Sequence, residues 1–222
     1  MSKLIRIMIV LALSVTLPAP AFAASTSAIA KGFGSVAWGE DVNGREGFMK
    51  LRSVDGIDYY VNLRDRFELK GFGKPTVYYG QAGPRLYAVH LRMKDGTGYG
   101  RLSSELTKIY GKGKKSGSGE TAVTRWKAGP VRVKLKGDPD GGMKLSFYYQ
   151  PVAITLDAVQ RDADPSSEEL ARMLPAKEAQ VKAPAGALPP KDPEYVGIDV
   201  LKYLKEGSEL LKLDIPRYQK SQ

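Results

Sequence analysis

From residue 33 to residue 150, apolar and polar residues alternate along the chain, and glycine, asparagine and aspartate interrupt the alternation at short intervals. A period of two is typical of strands with one buried side, because successive side chains point to opposite faces of a sheet. The interruptions at Asn43-Gly44, at Asp55-Gly56 and between Asp138 and Gly142 supply residues that suit tight turns. The pattern predicts eight strands, at 33–39, 47–52, 57–64, 75–80, 85–94, 121–127, 130–137 and 142–150.

One segment inside this region has helical periodicity instead. Between Tyr99 and Tyr110 the apolar residues recur every three or four positions, and Gly111 follows as a C-cap. We expect this helix to pack across one face of the sheet. The fold class predicted for residues 33–152 is therefore α+β, a mainly antiparallel sheet with one main packing helix. The Gly- and Lys-rich stretch 111–119 has no apolar side chain to bury and is predicted to be a loop.

A helical tail follows this domain. Residues 153–193 predict a helix that begins at Asp164-Pro165 and stops at Pro175, followed by a Pro/Ala-rich linker. Residues 194–222 predict a C-terminal amphipathic helix, whose apolar residues run from Tyr195 to Leu213. Such side chains are expected to be buried, either against the chain's own domain or against a protein partner through residues 194–214.

The amino terminus predicts export. Lys3 and Arg6 precede an apolar run over 7–17, and small residues at 21 and 23 precede Ala24. This order is typical of a secretory signal peptide over residues 1–23, cleaved after Ala23. The apolar run is shorter than a membrane span, so no transmembrane segment is expected in the mature protein. Residues 24–32 are predicted to be a disordered lead-in, and the protein is predicted to be periplasmic or secreted.

The chain has no cysteine and a single histidine, His90. Disulfides, thiolate zinc sites, cysteine nucleophiles and histidine clusters are therefore excluded. We predict no catalytic residue, no metal and no cofactor. His90 falls on the less apolar side of its strand, beside Arg92, and is expected to be a surface histidine.

Charge is distributed unevenly along the chain. Residues 24–152 contain 22 Lys or Arg against 12 Asp or Glu, whereas residues 153–222 contain 10 against 12. A basic body with a slightly acidic tail indicates a surface that meets an anion. Outside the cytoplasm the expected partners are an anionic envelope polymer or an acidic protein, and nucleic acid is not expected.

The strands at 130–137 and 142–150 place basic side chains on one face of a predicted hairpin. With Arg92 from a neighbouring strand, the predicted ligand-binding set is Arg92, Arg132, Lys134, Lys136, Lys144 and Tyr148. A cationic face with an aromatic side chain suits an anionic polymer. The alternative is that these charges only solvate an open sheet and blunt its edge.

These observations favour a non-enzymatic binding or accessory protein of the bacterial envelope. Two alternatives remain open. One is an envelope hydrolase with paired carboxylates, for which the candidate acids are Glu40, Asp41, Asp58, Asp65 and Glu105. The other is a structural subunit that docks through its C-terminal helix.

Three features follow one another in a recognisable order: a strand that ends in Trp38-Gly39, a helix that ends in Tyr110-Gly111, and Trp126 before a closing hairpin. Over about residues 33–150 the chain resembles small secreted bacterial proteins of uncharacterised function. The resemblance implies an α+β fold and an envelope location, and it implies no catalytic residues. Such proteins place a helix after Trp-Gly, whereas Asn43-Gly44 and Gly47 favour turns here.

Overall fold

The computed structural model of the protein describes residues 28–139, 141–162, 164–175 and 198–207. The predicted signal peptide, the predicted linker over 176–193 and the end of the predicted C-terminal helix lie outside the described residues.

The described residues form twelve strands, most of them in one antiparallel sheet. In chain order they are β1 Gly32–Phe33, β2 Val36–Ala37, β3 Phe48–Val54, β4 Ile57–Asn62, β5 Phe67–Glu68, β6 Thr76–Ala82, β7 Arg85–Met93, β8 Lys114–Ser116, β9 Val123–Ala128, β10 Val131–Gly137, β11 Met143–Tyr149 and β12 Ile198–Asp199. Eight strands make the main sheet in the order β3-β4-β6-β7-β11-β10-β9-β8. Strands β1 and β2 pair with each other, and β12 pairs with β5 in parallel.

Five α-helices accompany the strands in the described part of the chain. They are α1 Tyr99–Tyr110, α2 Gln150–Ala153, α3 Ala158–Asp162, α4 Ser167–Met173 and α5 Val200–Glu206. The α+β prediction is confirmed. Helix α1 has its predicted bounds, and Gly111 caps it with a positive φ of 78°.

The predicted strands from residue 47 onward are confirmed to within a few residues. The predicted strand 33–39 is instead the β1–β2 hairpin, in which Phe33 pairs with Val36. Gly34 has a φ of 59° in the two-residue turn between them, a conformation that interrupts an extended strand. The predicted loop 111–119 contains β8, a short exposed edge strand that pairs with β9.

Both faces of the main sheet carry packed helices, because side chains alternate between them. On the α1 side, α1 lies against β9 and β10, and Leu102 and Leu106 join Val133 and Leu135 in the larger core. On the α4 side, residues of α2 and α4 pack over the strands at the sheet centre. This second core includes Tyr59, Tyr78, Tyr87, Val152, Leu156, Leu170 and Met173.

The predicted disordered lead-in is wrong for residues 28–32. Ala28–Ala30 form a 3-10 turn, and Ile29 is fully buried. The Trp38 indole donates a hydrogen bond to the Ile29 carbonyl at 2.6 Å, and the Tyr203 hydroxyl donates one to the Gly32 carbonyl at 2.9 Å. Buried apolar area and these two bonds make the segment part of the core.

The described part of the C-terminal helix packs on its own domain. The Asp199 carboxylate caps α5 by accepting from the Leu201 amide at 3.0 Å. Val200, Tyr203 and Leu204 are buried in the core that also contains Ile29. Residues 195–197 and 208–213 of the predicted helix lie outside the described ranges.

Candidate anion-binding surface

The structure confirms the predicted hairpin but separates the residues predicted to form its cationic face. Strands β10 and β11 pair with Arg132 opposite Tyr148 and Lys136 opposite Lys144. Arg132 is exposed and Lys136 is half-buried, whereas Lys144 has no exposed surface. Helix α2 and the segment that leads from Asp164 into α4 cover β11 on this side, so the expected open face ends at β10.

Arg92 is also partly covered by the residues that precede and begin α4. It lies on β7 opposite Lys144, and its Nε donates a hydrogen bond to the Ser167 carbonyl of α4 at 2.8 Å. The prediction that Arg92, Lys144 and Tyr148 share one open surface with Arg132 is therefore wrong. Their side chains take the predicted face, but a segment that follows in sequence folds over them.

Asp164 neutralises the buried part of this face. One of its oxygens lies 2.7 Å from Lys144 Nζ and accepts a bond from the Tyr148 hydroxyl at 2.7 Å, while the other contacts Lys134 Nζ. Burial opposes ionisation of Asp164, but the charge of Lys144 and hydrogen bonds from both lysines hold its pKa well below the usual range. The Pro165 carbonyl accepts a further bond from Lys144.

His90 lies beneath the same cover and is fully buried, so the prediction of a surface histidine is wrong. Its Nδ1 lies 2.9 Å from Ser146 Oγ, and its ring centroid is 5.6 Å from that of Tyr148. Burial lowers the pKa of His90 to about 3, and the charges of Lys144 and Lys134 act in the same direction. The imidazole is therefore neutral near pH 7.

A set of basic residues on β8, β9 and β10 remains on the α4 side beyond the covering helices. We call this set the cationic strip, and its members are Lys114, Arg125, Lys127, Arg132, Lys134 and Lys136. The register places Arg132 opposite Lys127, and Lys134 opposite Arg125. Like charges directly opposite each other destabilise a sheet.

Two members of the strip have neutral partners. Arg125 donates to the Ser116 hydroxyl at 2.8 Å, and Arg132 donates to the Gln150 side-chain oxygen at 2.9 Å. In the described residues, the carboxylate that pairs with the strip is that of Asp164, through Lys134. Arg125, Lys127 and Arg132 are exposed, so the outer part of the strip keeps its positive charge.

Sequence reasoning did not include Lys114, Arg125, Lys127 and Asp164 in the candidate site. The signal for Arg125 and Lys127 was present, since Thr124 and Trp126 alternate with them along the predicted strand 121–127. The turn at Gly129-Pro130 brings that strand beside β10.

Each candidate acid of the hydrolase alternative has its own polar or cationic partner. Glu40 pairs with Arg45, and Asp58 pairs with Lys50 at 2.7 Å.

The remaining three acids are likewise bonded. Asp41 accepts from Gln81 at 2.7 Å, and Glu105 contacts Lys108 at 2.7 Å. Burial raises the pKa of Asp65, whose carboxylate accepts a bond from Asn62 at 2.9 Å.

Comparison with protein-family models, with curated proteins and with solved structures finds no match for this chain. The resemblance to small secreted proteins stays a prediction. Among the described residues, no helix is both long and apolar enough to cross a bilayer. The same residues contain no group of three or more His, Cys, Asp or Glu side chains that could hold a metal ion.

Proposed function

We propose that this chain is a non-enzymatic binding protein of the bacterial envelope and that its cationic strip binds an anionic polymer. The observation that carries the proposal is the pairing of Arg132 with Lys127 across neighbouring strands, where both side chains are exposed. Lys134 lies opposite Arg125 in the same way, but Asp164 already neutralises its charge. The Arg132–Lys127 pairing costs stability in the isolated protein. A polymer with repeated negative charges removes that repulsion, and its binding is favoured for this reason.

The shape of the strip supports a polymer more than a small anion. Its three strands are spaced by about 4.8 Å, so the strip is about 10 Å wide, and the four-residue step from Arg132 to Lys136 adds about 13 Å along β10. Its cations stand on the face of a sheet. Charges spread over such an area match a chain with several anionic groups.

The envelope location follows from the predicted signal peptide and belongs to the proposal. An envelope polymer that carries phosphate or carboxylate groups has the required charge. Docking to a protein through the C-terminal helix is not proposed, because Val200, Tyr203 and Leu204 pack on the chain's own domain.

Dextran sulfate and uncharged dextran of the same length test the proposal. We expect the purified protein to bind dextran sulfate and to ignore dextran in fluorescence anisotropy with labelled polymers. Substituting Lys127→Gln and Arg132→Gln together is expected to weaken binding at least about tenfold, since each substitution removes one charged contact. Both side chains are exposed, so the fold is expected to be retained.

A charge-matched control separates the strip from overall basicity. Arg52 on β3 and Arg66 before β5 are exposed and lie away from the strip. The pair Arg52→Gln and Arg66→Gln removes the same charge and is expected to change the affinity by less than about twofold. Equal losses for the two double variants would show that the strip is not the binding site.

A further inference from the structure

A cleft opens at the end of the main sheet where β6 begins and β7 ends. Its volume is about 420 Å³, within the size range of small-molecule sites. The walls are the loop 71–74, the turn 94–98 after β7, and the first turn of α1 at Arg101. It is separate from the cationic strip, which lies on β8 to β10.

The charges that line this cleft are mainly positive. Lys74, Arg92, Lys94 and Arg101 line it, together with a single carboxylate, that of Asp95. Asp95 accepts a hydrogen bond from the Thr97 amide at 2.8 Å, and this bond lowers its pKa.

The two exposed lysines of the cleft, Lys74 and Lys94, form no ion pair among the described residues. Their ammonium groups are therefore available to an anion that enters the cleft.

Arg101 is held in place before any ligand arrives. Its guanidinium carbon lies 4.5 Å from the centroid of the Phe72 ring, and one of its nitrogens donates to the Gly71 carbonyl. A stacked guanidinium loses less freedom on binding, and its planar fork suits phosphate oxygens.

The wall behind Arg101 is closely packed. A Cβ atom at Gly98 would lie 2.7 Å from the Phe72 ring, and one at Gly96 would lie 2.6 Å from the Gly142 carbonyl. The Gly96 amide also donates to the Gly141 carbonyl at 2.6 Å. These approaches fix the turn that presents Lys94 to the cleft.

We infer that this cleft binds a phosphate group carried by a small soluble molecule. Four cations against one carboxylate favour a dianion over a monoanion such as acetate. Thr76 also lines the cleft, and a threonine hydroxyl is a neutral hydrogen-bond donor. The cleft is larger than one phosphate group, so there is room for the remainder of the molecule.

Isothermal titration calorimetry at physiological salt tests the inference, with pyrophosphate and glycerol 3-phosphate as probes and acetate as the monoanion. We expect saturable binding of both phosphates and none of acetate. Lys74→Gln with Lys94→Gln is expected to weaken phosphate binding at least about tenfold. These lysines are exposed, and an unchanged urea midpoint would show that the double variant is folded.

The strip variant Lys127→Gln with Arg132→Gln is the matched control and is expected to bind both phosphates as the wild type does. Absence of saturable phosphate binding, or equal affinity in the Lys74/Lys94 double variant, would overturn the inference. Binding to phosphatidic acid vesicles without binding to glycerol 3-phosphate would overturn the assignment to a small soluble molecule. A negative result in the polymer assay alone would not contradict the phosphate site, because the cleft and the cationic strip consist of different residues.

Discussion

Removing the charge of Asp164 is expected to destabilise the fold strongly, because Lys144 has no exposed surface and lies 2.7 Å from that carboxylate. At an effective dielectric constant of about 20, the attraction between charges at that distance is roughly 6 kcal/mol. In Asp164→Asn the ammonium group stays buried without a counter-charge. Loss of one partner of a buried pair typically costs about 3–5 kcal/mol.

The part of the loss that comes from the unpaired charge of Lys144 has an upper limit that depends on pH. Lys144 can escape its unpaired charge by releasing a proton, which costs about 1.4 kcal/mol per pH unit below the ordinary lysine pKa. That limit is about 4.6 kcal/mol at pH 7 and about 2 kcal/mol at pH 9. We therefore expect this part of the loss in Asp164→Asn to be about 3–4.6 kcal/mol at pH 7 and no more than about 2 kcal/mol at pH 9.

Urea unfolding at the two pH values measures this difference. The double variant Asp164→Asn with Lys144→Met is expected to recover most of the loss, because the fully buried cation is then removed and Lys134, the other partner of Asp164, keeps some exposed surface. Glu168→Gln is the matched control, since Glu168 forms an exposed pair with Arg172 on the neighbouring helix α4. A loss below about 1 kcal/mol at pH 7, or an equal loss at both pH values, would refute this reasoning.

Three further predictions test other parts of the structure. Folded His90 resists protonation until about pH 3, whereas the unfolded chain takes up this proton below about pH 6.5. The free energy of unfolding should therefore fall with decreasing pH below about 6.5, by up to about 1.4 kcal/mol per pH unit. In urea titrations His90→Gln should show a weaker dependence of this free energy on pH, and an unchanged dependence would contradict the burial of His90. Gly32→Ala should lower the free energy of unfolding by about 1–3 kcal/mol, because its Cβ would lie 2.1 Å from the Val36 carbonyl oxygen; an unaltered urea midpoint would argue against the packing of residues 28–33. Mass spectrometry of the exported protein should find Ala24 at its amino terminus, whereas retention of residues 1–23 would contradict the signal-peptide prediction.

The strands could be predicted because two local signals agree over residues 47–150. Side-chain alternation sets which face each residue takes, and turn residues such as Asp55-Gly56 set where a strand ends. β8 has neither signal, since Lys114, Lys115 and Ser116 are all exposed and pair with β9 through the backbone. Its existence depends on β9 being in place.

The candidate site was predicted only in part, because sequence alternation gives the face of a residue and not what covers it. Helices α2 and α3 have four and five residues, too few for a helical period to be recognised. Asp164 was assigned to a helix start, whereas Ser166 caps α4 and forms a capping box with Glu169. Asp164 is thus left to pair with Lys144, which no local pattern could reveal.

The salt dependence of polymer binding tests the central claim most directly. The logarithm of the affinity for dextran sulfate should fall linearly with the logarithm of the salt concentration, because the cations of the protein displace counterions from the polymer. Removing Lys127 and Arg132 is expected to reduce the slope by about one for each cation, and removing Arg52 and Arg66 is expected to leave it unchanged. The same slope in the strip variant and in the wild type would contradict the claim that the cationic strip binds the anionic polymer.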